Sequence, residues 1–202
     1  MFRSINGKRM SGLALLFLAA VSQAVLSQQQ RPYRMNDREG QVISAEGTVT
    51  VNGASAISGA TVFSDSTVTT AKGSSAVVSL GKLGRVELQS ETSIKLTYAD
   101  SSITVNTLTA GASTEAAATQ GRSLFVLSTN PGVAGTVITG DGQVLTDSTK
   151  RTEFTVDMSC GDTLVSVKKG SVTLRAGDSV KQIAAGSQDT AGQARPGCIR
   201  SR

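Results

Sequence analysis

Residues 42–53, VISAEGTVTVNG, alternate apolar and polar side chains and end on an Asn-Gly pair. An alternation with a period of two is typical of a half-buried β-strand. Asn-Gly between such runs is the strongest short-range signal for a hairpin turn. The stretch therefore predicts a strand over Val42–Val51 and a chain reversal at Asn52-Gly53.

Short runs of the same kind recur along the chain, separated by turn residues. They are rich in Val, Thr and Ser, and β-branched residues fit a pleated surface. The predicted strands are Ala60–Phe63, Thr67–Thr70, Ala76–Leu80, Arg85–Leu88, Ser93–Tyr98, Ser102–Leu108, Leu124–Leu127, Val133–Ile138, Phe154–Met158, Leu164–Lys168, Val172–Arg175 and Val180–Ala184. Ala110–Gln120 fits a short helix or a polar loop equally well.

The composition indicates how these strands pack. The chain has 21 Gly, 3 Pro, no Trp and 3% aromatic residues, so its core must consist of Val, Ile and Leu. Such a thin core suits layers of short strands that bury one another. We expect an all-β fold of stacked short strands, solenoid-like or sandwich-like, forming a single domain over residues 40–190.

The N-terminus has the layout of a secretory signal. Arg3, Lys8 and Arg9 precede an apolar run, Leu13–Val21, which is followed by small residues up to Ala24. This order of basic, apolar and small residues predicts a signal peptide over residues 1–24, cleaved after Ala24. Cleavage after Ser27 is the second choice. An uncleaved anchor is the alternative, but a spanning helix needs about 20 apolar residues.

Cleavage would leave a polar leader over residues 25–39, the β domain over 40–190 and a tail over 191–202. We expect a periplasmic or secreted protein with no stable membrane insertion after cleavage. The net charge of +5 lies entirely in residues 1–38, which hold six cations and one acid; the remainder has 14 of each. Nucleic-acid binding needs clustered cations and stacking aromatics, so we expect no nucleic-acid partner.

Cys160 and Cys198 are the only cysteines. An even pair in an oxidising compartment tends to form a disulfide, which here would tie the tail to the turn around Cys160. The alternative is two unrelated thiols. The spacing excludes a C-x-x-C redox motif and a four-cysteine metal site.

The chain has no histidine, which excludes Ser-His-Asp and Cys-His catalysis and histidine-ligated metals. The remaining candidates are the carboxylate pairs Glu87 with Glu91 and Asp141 with Asp147. Glu87 is out of phase with Val86 and Leu88, so it is predicted to face solvent.

Three further segments are candidates for ligand binding. Gly140-Asp141-Gly142 fits a hairpin turn better than a calcium turn. Gly81–Gly84 lacks the spacing of a phosphate loop, and Lys168-Lys169 fits a charged strand end. We therefore assign no catalytic, metal-binding or cofactor-binding residue, and we expect a protein that is not an enzyme and has no cofactor.

The order of segments in the body resembles the FecR-domain family. The residues that carry the resemblance span about 44–187 and match in order; they are Glu46–Gly53, Ser75–Leu80, Gly84–Leu88, Ser93–Leu96, Phe125-Val126 with Thr129 and Pro131, Thr152–Val156 with Arg151 in place of a glycine, Leu164–Val167, Gly170–Leu174 and Ala185-Gly186. The resemblance implies an extracytoplasmic all-β domain of solenoid-like stacked strands. Signalling members carry an anti-sigma segment and a membrane helix before this domain, whereas a signal peptide precedes it here. Residues 135–150 are also longer than the family's usual turn.

Three functions fit these observations. The first is a non-enzymatic binding or scaffold module that recognises an envelope protein or a cell-surface polymer. The second is a sensor component that works with a separately encoded membrane regulator. The third is a secreted hydrolase that uses lysine or carboxylate chemistry on cell-wall glycans, which would require two converging carboxylates.

Overall fold

The computed structural model describes residues 39–108 and 123–200. The predictions for the signal peptide with its cleavage at Ala24 or Ser27, for the leader up to residue 38, and for Ala110–Gln120 lie outside these residues. The described part contains the strands β1 Gly40–Glu46, β2 Val49–Val51, β3 Ala54–Ser55, β4 Thr61–Val62, β5 Ser66–Thr70, β6 Ser75–Ser79, β7 Gly84–Leu88, β8 Ser93–Ala99, β9 Ser102–Thr107, β10 Leu124–Thr129, β11 Ala134–Ile138, β12 Gln143–Thr146, β13 Thr152–Asp157, β14 Thr163–Lys169, β15 Ser171–Ala176, β16 Ser179–Ala184 and β17 Gln188–Ala191. One 3₁₀ turn, Gly81–Leu83, joins β6 to β7.

The strands form two sheets, and the predicted all-β class is confirmed. Sheet 1 has eight strands in the order β17-β14-β13-β10-β7-β6-β1-β4, and sheet 2 has nine in the order β16-β15-β12-β11-β9-β8-β5-β2-β3. Almost all neighbours within the described residues are antiparallel; β9 and β11 pair in parallel. The two sheets form a sandwich.

The order of strands across each sheet follows the order along the chain. Both sheets begin near β1–β5 at one edge and end near β14–β17 at the other. The chain crosses between the sheets every one or two strands, so each layer packs on the layer that precedes it. The body therefore combines the two predicted descriptions: it is a sandwich in cross-section and is built layer by layer like a solenoid.

The core lies between the sheets and comes from every second residue of the strands. In β8, for example, Ile94 and Leu96 are fully buried, while Lys95 between them and Thr97 after them are not. Most of the core is Val, Leu and Ile, with Phe125 and Phe154 as the largest fully buried side chains. Because one face of each strand is buried, the hydrophobic pattern also fixes the pairing register.

The predicted strand Val42–Val51 is wrong as a single element. It is two strands, β1 in sheet 1 and β2 in sheet 2, and the chain changes sheets at Gly47. Gly47 has φ of +73°, and a Cβ there would lie 2.4 Å from Ser74 Oγ, which accepts a hydrogen bond from Thr48 N. The alternation survives the break because both halves face the same core. The Asn52-Gly53 reversal is present between β2 and β3.

Three strands, β3, β12 and β17, were not predicted. β3 has two residues, and both are exposed. β12 has one fully buried apolar residue, Val144, and β17 has one buried residue, Ala191. Residues 135–150, which the sequence presents as a long turn, contain the end of β11 and all of β12. A strand with one buried side chain gives too weak an alternation to be recognised from the sequence.

Candidate functional site

The first candidate carboxylate pair, Glu87 with Glu91, is divided between a strand and a turn. Glu87 lies on the solvent side of β7, as predicted, between the buried residues Val86 and Leu88. Its Oε1 is 2.7 Å from Arg85 Nε. Glu91 lies beyond the end of β7, in a turn where its φ is +58°. The geometry of Glu87 is that of an ion pair on a strand face.

The second pair, Asp141 with Asp147, flanks β12. Six residues of nearly extended chain separate them, which corresponds to about 20 Å. Asp141 Oδ2 accepts a hydrogen bond from Thr163 Oγ1 at 2.9 Å. Asp147 Oδ1 accepts hydrogen bonds from the hydroxyl and the backbone N–H of Thr149, which lower the pKa of Asp147. Asp147 therefore stabilises its own turn, whereas Asp141 links the turn before β12 to the start of β14, and the two carboxylates do not converge as a glycosidase pair would.

The Gly140-Asp141-Gly142 segment forms the turn between β11 and β12. Thr139 Oγ1 accepts hydrogen bonds from Asp141 N and Gly142 N at 3.3 and 3.2 Å. Asp141 Oδ1 also occupies the space beside Gly192, where a Cβ would lie 2.6 Å from it. Within residues 39–108 and 123–200, no three acidic or cysteine side chains come together in a way that could hold a metal ion.

A buried acid that the sequence analysis did not single out lies on the solvent side of sheet 1. The Glu153 side chain is only 8% exposed, and its Oε1 is 2.8 Å from Lys168 Nζ. Lys169 Nζ lies 3.6 Å from Oε2. The hydrogen bond from Lys168 lowers the pKa of Glu153. The prediction that the two lysines mark a charged strand end is correct, and Glu153 is the partner that holds them.

Ser128 lies directly across from both Glu153 and Arg85 in the sheet register. Its hydroxyl is buried and has no hydrogen-bond partner among the described residues. A serine nucleophile needs an adjacent base, and a lysine that serves as one must be desolvated. Lys168 is 74% exposed and already paired with Glu153. The cluster therefore lacks the environment of a Ser-Lys site.

The tail folds back onto the turn between β13 and β14. Cys160 and Cys198 are joined with an S–S distance of 2.06 Å, the pairing that the sequence favours. Arg195 N and Nη2 donate to the carbonyl oxygens of Cys160 and Ser159 at 2.9 and 3.2 Å. Arg200 pairs with Asp162. Residues 195–200 are therefore attached to the β domain rather than forming a separate loose tail.

The C-terminal edge of the sandwich is closed by an ion pair between the sheets. Lys181 of β16 and Asp189 of β17 are 2.7 Å apart, Nζ to Oδ1. Lys181 Nζ also approaches the carbonyl oxygen of Thr190 at 3.4 Å. An ion pair therefore connects these two edge strands across the end of the core, and the charge of Lys181 is paired with that of Asp189.

Three large apolar residues, Ile43, Ile57 and Phe63, lie at the opposite edge and are 49%, 74% and 59% exposed; we call these three residues the apolar patch. The segment before β4 runs along β1 and positions the patch. Gly59 N donates to Val42 O at 2.8 Å, and Ser58 Oγ donates to Ile43 O at 3.0 Å. Phe63 follows β4 directly. Three of the six large, exposed apolar side chains in the described part of the chain thus lie beside β1 and β4.

Sequence reasoning missed this patch for a physical reason. A pleated strand places Ile43 on the face opposite to Val42, as observed, and the β1 pairing also shifts register between Val42 and Ser44. A run of two apolar residues followed by Ser-Ala-Glu is compatible with either a buried or an exposed Ile43. An isoleucine at position 57, between Ala56 and Ser58 in a turn region, is the one signal of an exposed apolar side chain that the sequence offers.

Neither the protein-family models nor the curated protein sequences compared with this chain match it. Among the described residues, no helix has both the length and the apolar character needed to cross a bilayer. The resemblance to the FecR-domain family, the export and the partner class accordingly stay predictions.

Proposed function

We propose that this chain is an exported, non-enzymatic module of the bacterial periplasm or cell surface, similar to FecR domains, that binds an envelope protein through the apolar patch Ile43, Ile57 and Phe63. The patch carries the proposal. Exposed apolar patches on soluble proteins commonly mark sites of interaction with other proteins.

The arrangement of the carboxylates supports binding over hydrolysis. A glycoside hydrolase needs two carboxyl groups on opposite sides of one bond. Glu87, Asp141, Asp147 and Glu153 each hold a different structural partner, which is respectively Arg85, Thr163, Thr149 and Lys168. These groups stabilise strands and turns, whereas the patch has no such structural role.

The binding half of the proposal is tested by photo-cross-linking in living cells, with the cross-linker at position 57 and, in parallel, at position 138. Ile138 is the matched control because it is 41% exposed and lies on β11, away from the patch. The expected result is one dominant envelope-protein adduct from position 57, lost on Phe63→Ser and retained on Ile138→Ser. Equal adducts from both positions would argue against binding through the patch. Recovery of a glycan adduct instead of a protein adduct would show that the partner is a glycan.

The export half is tested by the mass of the mature chain recovered from the periplasmic fraction or the medium. Cleavage after Ala24 gives a chain that begins at Val25, and cleavage after Ser27 gives one that begins at Gln28. Replacing Leu16 by Arg within the apolar run should hold the full-length precursor in the cell, because a charge there interrupts the segment that the export machinery reads. A full-length protein in the cytoplasm would overturn this half.

A further inference from the structure

The C-terminal edge strand β16 leaves backbone groups free on one side, and their direction follows from the ladder. Its six residues pair antiparallel with β15 in an unbroken register from Ser171↔Ala184 to Ala176↔Ser179. Ala185 N donates to Gly170 O across this pair at 3.1 Å. On the other side of β15, Asp147 N donates to Ser171 O at 3.1 Å.

Because both backbone groups of a residue in an antiparallel strand point to the same side, these two bonds set the alternation. Residues 179, 181 and 183 direct their N–H and C=O groups toward β15. Val180, Gln182 and Ala184 direct theirs away from the sheet, where the described chain places no further strand. The Ala184 carbonyl oxygen also accepts a hydrogen bond from Ser187 N at 3.0 Å, which leaves one of its lone pairs available.

The outward N–H and C=O groups of β16 can pair with the same groups of a second, antiparallel β16. We propose that β16 pairs antiparallel with β16 of a second copy of this chain, about a two-fold axis at Gln182, so that sheet 2 continues across the dimer. This register places Gln182 opposite Gln182 and Val180 opposite Ala184 of the second copy. All three outward residues then form hydrogen-bonded pairs, which amounts to about six hydrogen bonds across the axis.

The charges allow this pairing. The outward residues are uncharged. Lys181 would lie opposite Ile183 of the second copy and diagonal to its Lys181, about 7–8 Å away, where the ion pair with Asp189 offsets the charge of each lysine. Lys181 is held by Asp189 at 2.7 Å. Val180, which is 63% exposed, would lie against the Ala184 methyl group of the second copy.

The other edges of the described sheets lack these properties. β3 and β4 have two residues each, which is too short for a ladder. β17 has four residues. Short strands and edge charges are the usual devices that prevent sheets from joining. β16 has six residues without proline or a free charge, and it is the edge that remains open.

The dimer would carry two copies of the apolar patch. This consequence rests on the proposed binding function. Nine strands spaced about 4.8 Å apart place the apolar patch about 40 Å from β16. Two copies joined at β16 would hold their patches about 80 Å apart, at opposite ends of the dimer. Two linked sites raise avidity for a partner that is itself repeated along an envelope surface.

The test is the solution mass of the mature, disulfide-bonded chain, measured by sedimentation from micromolar to near-millimolar concentration. The wild-type mass should rise to twice the monomer mass. Gln182→Lys places two like charges opposite each other at the axis and should weaken dimerisation about tenfold. Gln182→Ala keeps the backbone pairing and should dimerise as the wild type does. Thermal melting of each dilute variant checks that the monomer fold is intact.

A charge-swap experiment isolates the two-fold geometry. Gln182→Lys and Gln182→Glu should each dimerise about tenfold more weakly than the wild type when alone and should form a heterodimer preferentially when mixed, because only then do opposite charges meet at the axis. Amide exchange of Val180, Gln182 and Ala184 should slow with concentration in the wild type and not in Gln182→Lys. A wild type that stays monomeric at every concentration, or a dimer unaffected by Gln182→Lys, would overturn the proposal.

One further outcome would reassign the edge. Gln182→Pro removes a single outward N–H and leaves the ladder to β15 complete, since residue 182 does not bond to β15. If the wild type were monomeric and Gln182→Pro reduced the capture of envelope protein, the occupant would be a foreign strand and the dimer would be excluded. The cross-linking at position 57 reads the patch alone, so the failure of either proposal can be recognised separately.

Discussion

The guanidinium of Arg200 lies against the carboxylate of Asp162, a side chain that is only 4% exposed. Arg200 follows Asp162 by 38 residues in the chain. The turn between β13 and β14 therefore receives its counter-charge from the C-terminal end of the protein. A buried carboxylate without a partner is costly, so these last residues are part of the stability of the domain.

Replacing Arg200 by Gln should lower the free energy of unfolding by about 3 kcal/mol, because it leaves Asp162 buried without its partner. Arg195→Gln is the matched control. Arg195 bonds to neutral carbonyl oxygens at the same turn, and its loss should cost only about 1 kcal/mol. Urea titration measures both values. Equal losses in the two variants would show that Asp162 has no special need of Arg200.

The disulfide should stabilise the domain mainly by closing a loop in the unfolded chain. For the 38-residue separation of Cys160 and Cys198, the chain-entropy relation gives about 4 kcal/mol. The Cys160→Ser, Cys198→Ser double variant should lose that amount in a urea titration and keep the same far-ultraviolet circular dichroism. An unchanged midpoint would mean that the unfolded chain is already compact around this loop.

The disulfide and Arg200 should also be coupled, since both hold the same segment. Without the disulfide, the segment is free to leave the turn, and Arg200→Gln should then cost less than it does in the oxidised protein. Comparing the four variants of a double-mutant cycle measures this difference. Additive losses would indicate that Arg200 docks on Asp162 whether or not Cys198 is attached.

Much of this architecture can be predicted from sequence because the core pattern is local. Phe125 and Leu127, or Ile94 and Leu96, alternate with polar neighbours, and each pair identifies its strand. The sheet assignment is different in kind. Whether Val49 follows β1 in the same sheet or crosses to the other depends on the close approach of Gly47 to Ser74, a contact between residues 27 positions apart that no local pattern encodes.

The functional surfaces were less predictable for a related reason. The free side of β16 exists only because no other strand within residues 39–108 and 123–200 pairs with it. The sequence of Val180–Ala184 is that of an ordinary strand. Glu153 reads as a solvent-facing residue from its phase, yet it is buried beside Lys168. Edges and covered charges are properties of the assembled sheet, whereas the disulfide follows from a simple count of cysteines.

The hydroxyl of Tyr98 stabilises the start of β1, so Tyr98→Phe should lower the free energy of unfolding by about 2 kcal/mol. The hydroxyl accepts a hydrogen bond from Gly40 N at 2.8 Å and donates one to the Val62 carbonyl. Burial raises the pKa of Tyr98 above its ordinary value of 10.0, which keeps the donor protonated. Amide exchange at Gly40 should accelerate in this variant; an unchanged rate there would contradict the assignment.

Glu153 should contribute a pH-dependent part of the stability. Lys168 lowers the pKa of Glu153 in the folded protein below the ordinary value of 4.5. The contribution is therefore complete above about pH 4.5 and is lost as the pH falls through the lower, folded-state pKa. Glu153→Gln should be less stable than the wild type at neutral pH and close to it in acid.

Urea titrations across that range test the Glu153 prediction. Asp147→Asn is a control, since Asp147 also has a lowered pKa but lies on an exposed turn. Lys168→Gln should shift the acid loss of stability toward higher pH, because Glu153 would then retain only the more distant Lys169. A parallel pH profile for Glu153→Gln and the wild type would remove Glu153 from the acid response.

Gly84 is a position where the backbone of the sandwich leaves no room for a side chain. Its φ is +144°, and a Cβ there would lie 2.0 Å from the carbonyl oxygen of Ser128 on the neighbouring strand β10. Gly84→Ala should therefore separate β7 from β10 and cost more than about 4 kcal/mol, or prevent folding. Gly177→Ala supplies the comparison, because Gly177 has φ of +53° with open space around it. It incurs only the backbone cost of about 1–2 kcal/mol, so a similar loss in both variants would show that the sheet can relax around position 84.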